Sequence, residues 1–290
     1  MFKSYHISIP PFNFALSSKI PSVHRHIECI YADHQTFDNN SDNFIDFNVK
    51  INESSLPRKW IKPQARFFSD DQEPFIPLPY SQAHAFLEWG MNWCVASTEA
   101  NWLIVHSAIL AKDDKAIMFP APPGSGKSTL TAHLALKGWR LLSDEMTIIE
   151  LNTRTAIPFV RPISLKNNSI DLVKQWFPEA IMSEVAIDTQ KGDVAHVKPS
   201  IESVNAGTQK AEIVGVVFPK YNAEKQLEIF ELAQTDTFMQ LASNSFNYNV
   251  IGAEAFSTIG KIVDECPGFE IQYNDLAEVE SFLLEDVLGL

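Results

Sequence analysis

The sequence predicts an α/β protein built on a mixed sheet. Three observations predict it. From residue 81 onward, strand-like and helix-like segments interleave. Several neighbouring strands are separated by only a few turn-forming residues, which makes them hairpins and not helical crossovers. A glycine-rich loop, Gly124-Ser125-Gly126-Lys127-Ser128-Thr129, lies between an apolar strand and a helix.

The elements follow in order. Residues 1–73 read as an irregular N-terminal module, with a polar run at Asp38 to Asn43 and strand-like pieces at Phe44 to Ile51 and Ala65 to Phe68. Pro74, Pro77 and Pro79 bias their predecessors away from helix, so the joint should be extended. It marks the expected boundary between module 1–73 and a catalytic domain 74–290. Ser81 opens a helix to about Ser97, because Ala83, Phe86, Leu87, Gly90, Met91 and Cys94 recur at helical spacing. Trp89 and Trp93 share a stripe of it and read as core, ahead of base stacking. Trp102 to Leu110 reads as one strand, turned at Asp113-Asp114 into a second, Lys115 to Phe119.

After the loop, a helix over Leu130 to Lys137 is closed by Gly138. Trp139 to Ser143 is a strand. Met146 to Leu151 and Thr155 to Val160 form a hairpin about Asn152. Glu212 to Phe218 and Gln226 to Leu232 are strands; Thr235 to Ser243 and Glu254 to Glu265 are helices. Pro267-Gly268 stops the last, before a strand at Phe269 to Tyr273 and a short helix from Asp275. Lys191-Gly192 and His196-Val197-Lys198 read as a charged, mobile loop.

Composition narrows the classes. In 290 residues, 45% are hydrophobic, which excludes disorder as the dominant state. The net charge of −13, with no Lys/Arg run, excludes the basic footprint of a duplex nucleic-acid binder. The acidity is local: residues 221–290 hold 13 of the 36 acidic groups and 2 of the 23 basic ones. No apolar run reaches 18 residues, so no transmembrane helix is expected. The first residues lack the apolar core of a secretory signal. Cys29, Cys94 and Cys266 form no Cys-x-x-Cys pair. A reduced, cytoplasmic chain with cysteines as packing residues follows.

The loop carries the chemistry. Glycines let backbone N–H groups approach phosphate, and the helix N-terminus adds partial positive charge. Pro123, Gly124, Ser125, Gly126, Lys127, Ser128 and Thr129 are the expected nucleotide-binding residues. Lys127 would bind the β- and γ-phosphates and the Ser128 hydroxyl would ligate Mg²⁺. Ala121 stands where G-x-x-x-x-G-K-[ST] has its first glycine, which is tolerable only at negative φ. One strand later, Asp144-Glu145 presents two carboxylates on opposite sides of an extended segment. Ser128, Asp144 and Glu145 are therefore the expected metal ligands. An exposed acidic turn is the lesser alternative for the pair.

These residues carry a resemblance. LIVHSAIL, MFPAPPGSGKSTLTAHLALKGWRLLSDEM, the helix EWGMNWC at Glu88 to Cys94 and RPISLKN at Arg161 to Asn167 resemble the HPr kinase/phosphorylase family. They are closest to its HprK-related kinase A group, over about Pro74 to at least Asn168. The resemblance implies a mixed-sheet P-loop kinase core of the type shared with phosphoenolpyruvate carboxykinase, using ATP and Mg²⁺. It implies Asp144 as base, with Glu145 in place of the usual second aspartate, and His106 as its orienting partner. Arg161 is a candidate for the transferring phosphoryl group or for an ion pair with a surface acid; Lys166 is a weaker candidate. The regulatory N-terminal domain and the Arg-Gly-rich signature of the bifunctional enzymes are missing.

The expected function is ATP-dependent transfer of the γ-phosphoryl group to a hydroxyl, serine by resemblance, of a peptide or small protein. Through the PqqD-like peptide-binding neighbours of that group, the resemblance also implies a peptide-modification setting. It further implies a homo-oligomer. The alternatives are a regulatory ATPase without a phosphoacceptor and a small-molecule kinase.

Overall fold

The structure is a computed structural model that describes residues 3–37, 44–54 and 62–290. The polar run Asp38 to Asn43 lies outside them. The chain divides into two compact units, residues Met1–Thr98 with Ser164–Asn205, and Glu99–Ile163 with Ala206–Leu290. This division differs from a boundary at 73/74. Strand pairing crosses that point, since Leu78 and Pro79 pair with Ala65 and Gln64.

In the first unit, β1 (Lys3–Ile9), β2 (Phe12–Ser18), β3 (Gln35–Thr36), β4 (Phe47–Glu53), β5 (Gln64–Ser69) and β6 (Leu78–Pro79) form one sheet. Its order is β3-β1-β2-β4-β5-β6. The described residues among 1–73 are thus largely regular, contrary to the expectation of an irregular module. Ile7 and Ile9, then Phe12, Phe14 and Leu16, alternate inward and bury one face. Helices α1 (Pro21–Ile30) and α2 (Ala83–Thr98) belong to the same unit. Phe86 of α2 packs on Phe67 of β5 at 5.7 Å between ring centroids. Between the helices, His26 and Tyr31 hold the buried Glu88 carboxylate at 2.7 and 2.9 Å.

Trp89 and Trp93 are only partly covered: Trp93 is 36% exposed against Phe75, and the Lys191 ammonium lies 5.6 Å over the Trp89 ring. Cys94 is buried, as expected; Cys29 is exposed on α1.

The segment from residue 164 completes this unit. Strands β13 (Ile163–Lys166), β14 (Ala186–Thr189) and β15 (Gly192–Val197) form a three-stranded sheet in the order β13-β15-β14, beside α4 (Asn168–Trp176) and α5 (Ile201–Asn205). The mobile loop expected at 191–198 is instead β15 and its turn. His196 is buried there, with its N–H on Ser183 Oγ at 2.9 Å.

The second unit holds a nine-stranded mixed sheet. Its strands are β7 (Trp102–Val105), β8 (Ser107–Lys112), β9 (Lys115–Pro120), β10 (Arg140–Ser143), β11 (Thr147–Glu150), β12 (Thr155–Ile157), β16 (Ala211–Tyr221), β17 (Glu228–Leu232) and β18 (Gly268–Tyr273). The main order is β10-β8-β9-β16-β12-β11-β7, with β18 also on β16 and β17 on β18. The mixed α/β sheet is as the sequence predicts. The β8–β9 hairpin turns at Asp113-Asp114, with Lys112 opposite Lys115, and β11–β12 turns about Asn152. The strand expected over Trp102 to Leu110 is two strands that break at His106. There the N–H leaves the ladder and donates to Asn244 O at 2.7 Å.

Helix α3 (Lys127–Leu136) packs on β8. It ends at Gly138 in a Schellman arrangement: Gly138 N–H donates to Ala135 O at 3.1 Å and Trp139 N–H to Leu134 O at 3.0 Å. Helices α6 (Gln234–Ser243), α7 (Tyr248–Ile251), α8 (Ala253–Glu265) and α9 (Leu276–Phe282) follow, then a π-helical turn over Leu283–Leu288. Leu241, Ala255, Ile259 and Ile262 join the buried sheet residues Leu103, Ile109, Met118, Ile213 and Val216 in one core. Among the described residues, no helix is long and apolar enough to cross a membrane.

Candidate phosphate-loop site

Strand β9 is buried from Ala116 to Pro120. It lies between antiparallel β8 and parallel β16, and such a central strand reads as a continuous apolar run. The chain leaves it through Ala121, which is buried and does not take positive φ, so the alanine fits the turn.

Two glycines then do what other residues do poorly. Gly124 stands at φ +86° and Gly126 at φ +89°. A Cβ on Gly126 would lie 2.9 Å from both Tyr221 Cβ and the Tyr273 hydroxyl oxygen. The loop is therefore shaped by two tyrosines that sequence reasoning did not single out. Tyr221 N–H donates to Ser125 O at 2.8 Å, which fastens the loop to the end of β16. The hydroxyl of Ser125 accepts from Lys127 N–H at 3.4 Å. Pro123 is exposed, while Ser125 is buried and Thr129 half-buried.

Helix α3 begins at Lys127, so Lys127, Ser128 and Thr129 form its first turn. That turn's N–H groups have no intrahelical acceptor, and the helix dipole is positive at this end. Lys127 is 8% exposed, and its ammonium donates to Asp144 O at 3.1 Å. The Ser128 hydroxyl donates to Asp144 Oδ2 at 3.3 Å. Asp144 itself is 3% exposed, so the acidic pair is not an exposed turn. Glu145 beside it is half-buried. The structure thus brings Lys127, Ser128 and Asp144 together from two elements 16 or 17 residues apart. A lysine and a carboxylate this buried each call for a compensating partner in a poorly solvated setting.

His106 and Arg161 lie on neighbouring segments of the same unit. Thr147 of β11 pairs with Val105, and its hydroxyl accepts from Ser107 Oγ at 2.6 Å. His106 is therefore held beside the start of β11, just after Glu145 in the chain. Its ring lies 5.6 Å from Phe246 between centroids. Phe159 N–H donates to Leu142 O at 2.8 Å, running the 159–161 segment along the end of β10. Arg161 is 6% exposed with its guanidinium 5.4 Å over the Phe159 ring. Lys166 belongs to the first unit.

Tyr273 is buried at the end of β18, and Tyr221 meets it edge-on at 6.0 Å. Burial, and then the neighbouring Tyr221, pushes the Tyr273 phenol above its ordinary range, so it stays protonated near neutrality. A lone tyrosine at a strand end has no sequence signature. The parallel pairing of β9, β16 and β18 gives these two their place.

Among the described residues, no three His, Cys, Asp or Glu side chains form a metal-holding group. The oxygen set of Ser128 and Asp144, with Glu145 adjacent, suits a hard cation that keeps water and phosphate ligands, which is how Mg²⁺ is commonly held. Set against known proteins, the chain matches no family model and no curated sequence.

Proposed function

We propose that the second unit is an ATP-dependent kinase core that transfers the γ-phosphoryl group to a hydroxyl, serine by preference, of a peptide or small protein. The observation that carries the reading is the convergence of Lys127 and Ser128 on Asp144 at the start of α3, behind a loop with two left-handed glycines. That arrangement joins phosphate-binding groups to one buried carboxylate, and phosphoryl transfer needs both.

The work of each residue follows from its chemistry. Loop N–H groups and the first turn of α3 receive phosphate oxygens. Lys127 exchanges the Asp144 carbonyl for the β- and γ-oxygens and offsets their charge. Ser128, Asp144 and Glu145 would hold Mg²⁺, which when bound supplies positive charge at the bridging oxygens. Asp144 also orients the acceptor hydroxyl and takes its proton, which is worth about 10²–10⁴-fold. His106 keeps the acidic segment in position, and the buried Arg161 guanidinium faces developing charge with a planar fork of donors. A PqqD-like peptide-binding partner and self-association belong to the same reading.

The test is incubation of γ-³²P-ATP and Mg²⁺ with candidate peptides, followed by mass spectrometry, for wild type, Lys127→Ala and Asp144→Asn. Labelled serine with wild type alone supports the kinase. Equal labelling by all three proteins refutes it. So does phosphate release into water with no labelled acceptor, which is the behaviour of a regulatory ATPase.

A further inference from the structure

Strands β9, β16 and β18 run parallel in this order, so their carboxyl ends lie along one edge of the sheet. Ligands of open α/β sheets bind outside that edge. Here β9 delivers the phosphate loop, and β16 and β18 deliver Tyr221 and Tyr273, which are paired in register. Tyr221 is 54% exposed although it is fastened to the loop through its own N–H. Its Cβ and the Tyr273 hydroxyl flank Gly126, the residue before the phosphate-binding lysine. Tyr273 is fixed by burial and meets Tyr221 edge-on, leaving Tyr221 half in solvent. An exposed aromatic ring whose backbone is fastened to a phosphate loop has the chemistry of a base-stacking platform.

We infer that Tyr221 is the nucleoside-recognition residue of this site, packing the ring of a purine nucleotide while the loop holds its phosphates. The inference rests on the nucleotide reading proposed above and adds the group that separates a nucleotide from a bare polyphosphate. Tyr273 acts through Tyr221 as its buttress.

The experiment is calorimetric titration of the full chain with ADP and, separately, with pyrophosphate, both with Mg²⁺. Wild type is compared with Tyr221→Ala and Tyr221→Phe. The exposed ring can be removed without breaking the main-chain bond to Ser125. Stacking of one base is worth about 5- to 150-fold in affinity. Tyr221→Ala should weaken ADP by that factor and leave pyrophosphate unchanged, while Tyr221→Phe binds ADP like wild type. The platform is overturned if ADP affinity is unchanged in Tyr221→Ala, if both ligands weaken equally, or if Tyr221→Phe behaves like Tyr221→Ala. A wild type that binds neither ligand overturns the nucleotide reading, and the platform with it.

Discussion

Asn247 closes the free edge of β7 with its side chain, and replacing it by alanine should be costly. The residue is 2% exposed. Its Oδ1 accepts from Ile104 N–H at 3.0 Å, and its Nδ2 donates to Glu99 O at 3.0 Å and Trp102 O at 2.9 Å. Asn247→Ala leaves the N–H of the fully buried Ile104 without an acceptor, at about 1–3 kcal/mol. Glu99 and Trp102 are half-exposed, so water recovers part of the other two bonds, each worth about 0.5–1 kcal/mol. The expected loss is roughly 2–4 kcal/mol in urea unfolding. Hydrogen exchange at Ile104 N–H should accelerate together with it. The consequence reaches the site, because Asn244 and Phe246 of the same segment bind the main chain of His106 and Ile104. A loss under about 0.5 kcal/mol, with Ile104 protection intact, would refute the reasoning, since surface substitutions cost that little.

Three further expectations can be checked directly. Gly126→Ala forces a Cβ into positive φ and against Tyr221 and Tyr273; strain of about 1–3 kcal/mol should lower ADP affinity by about tenfold or more in calorimetry. His84 is held down at about 4, chiefly by burial and then by His26, while an unfolded histidine titrates near 6.5. The unfolded chain therefore binds a proton that the folded chain refuses. The His84 contribution to stability should be constant above pH 6.5 and fall by about 3 kcal/mol as pH drops from 6.5 to 4. Urea titrations across that range should show a flatter acid limb for His84→Gln, and equal slopes would count against the assignment. Asp275 caps α9 by accepting from Ala277 N–H at 2.7 Å, so Asp275→Ala should cost about 1 kcal/mol in the same measurement.

Much of the second unit was legible because its signals are local. Asp113-Asp114, Asn152, Gly138 and Pro267 punctuate the chain where the structure turns or stops. GSGKST sits between strand and helix as it should. The His106 break was not legible, since LIVHSAIL is an unbroken strand pattern and only Asn244, far along the chain, splits it. The N-terminal sheet was hidden differently. Its alternation is present, but Pro10-Pro11 interrupts it, and Ile20, which precedes α1, offers no side-chain cap to announce a helix. In residues 163–205 the strands are only four to six residues long and carry polar side chains that read as loop. Tyr221 and Tyr273 could be placed only through pairing between distant strands.

The order of synthesis gives the interleaved units a biological edge. The phosphate loop and the acidic pair are made early, yet β9 finds its parallel partner only when residues 211–221 emerge, on the order of 100 residues later. In between, the ribosome supplies a segment that belongs to the other unit. A nascent or proteolysed chain ending before Ala211 therefore carries every residue of the phosphate motif without the strand that fastens Ser125. It also leaves bare one edge of a strand that is apolar from Ala116 to Pro120, which is an invitation to aggregate. Anchoring of the loop is thus gated by the emergence of residues 211–221, and the bare strand edge is most vulnerable before then.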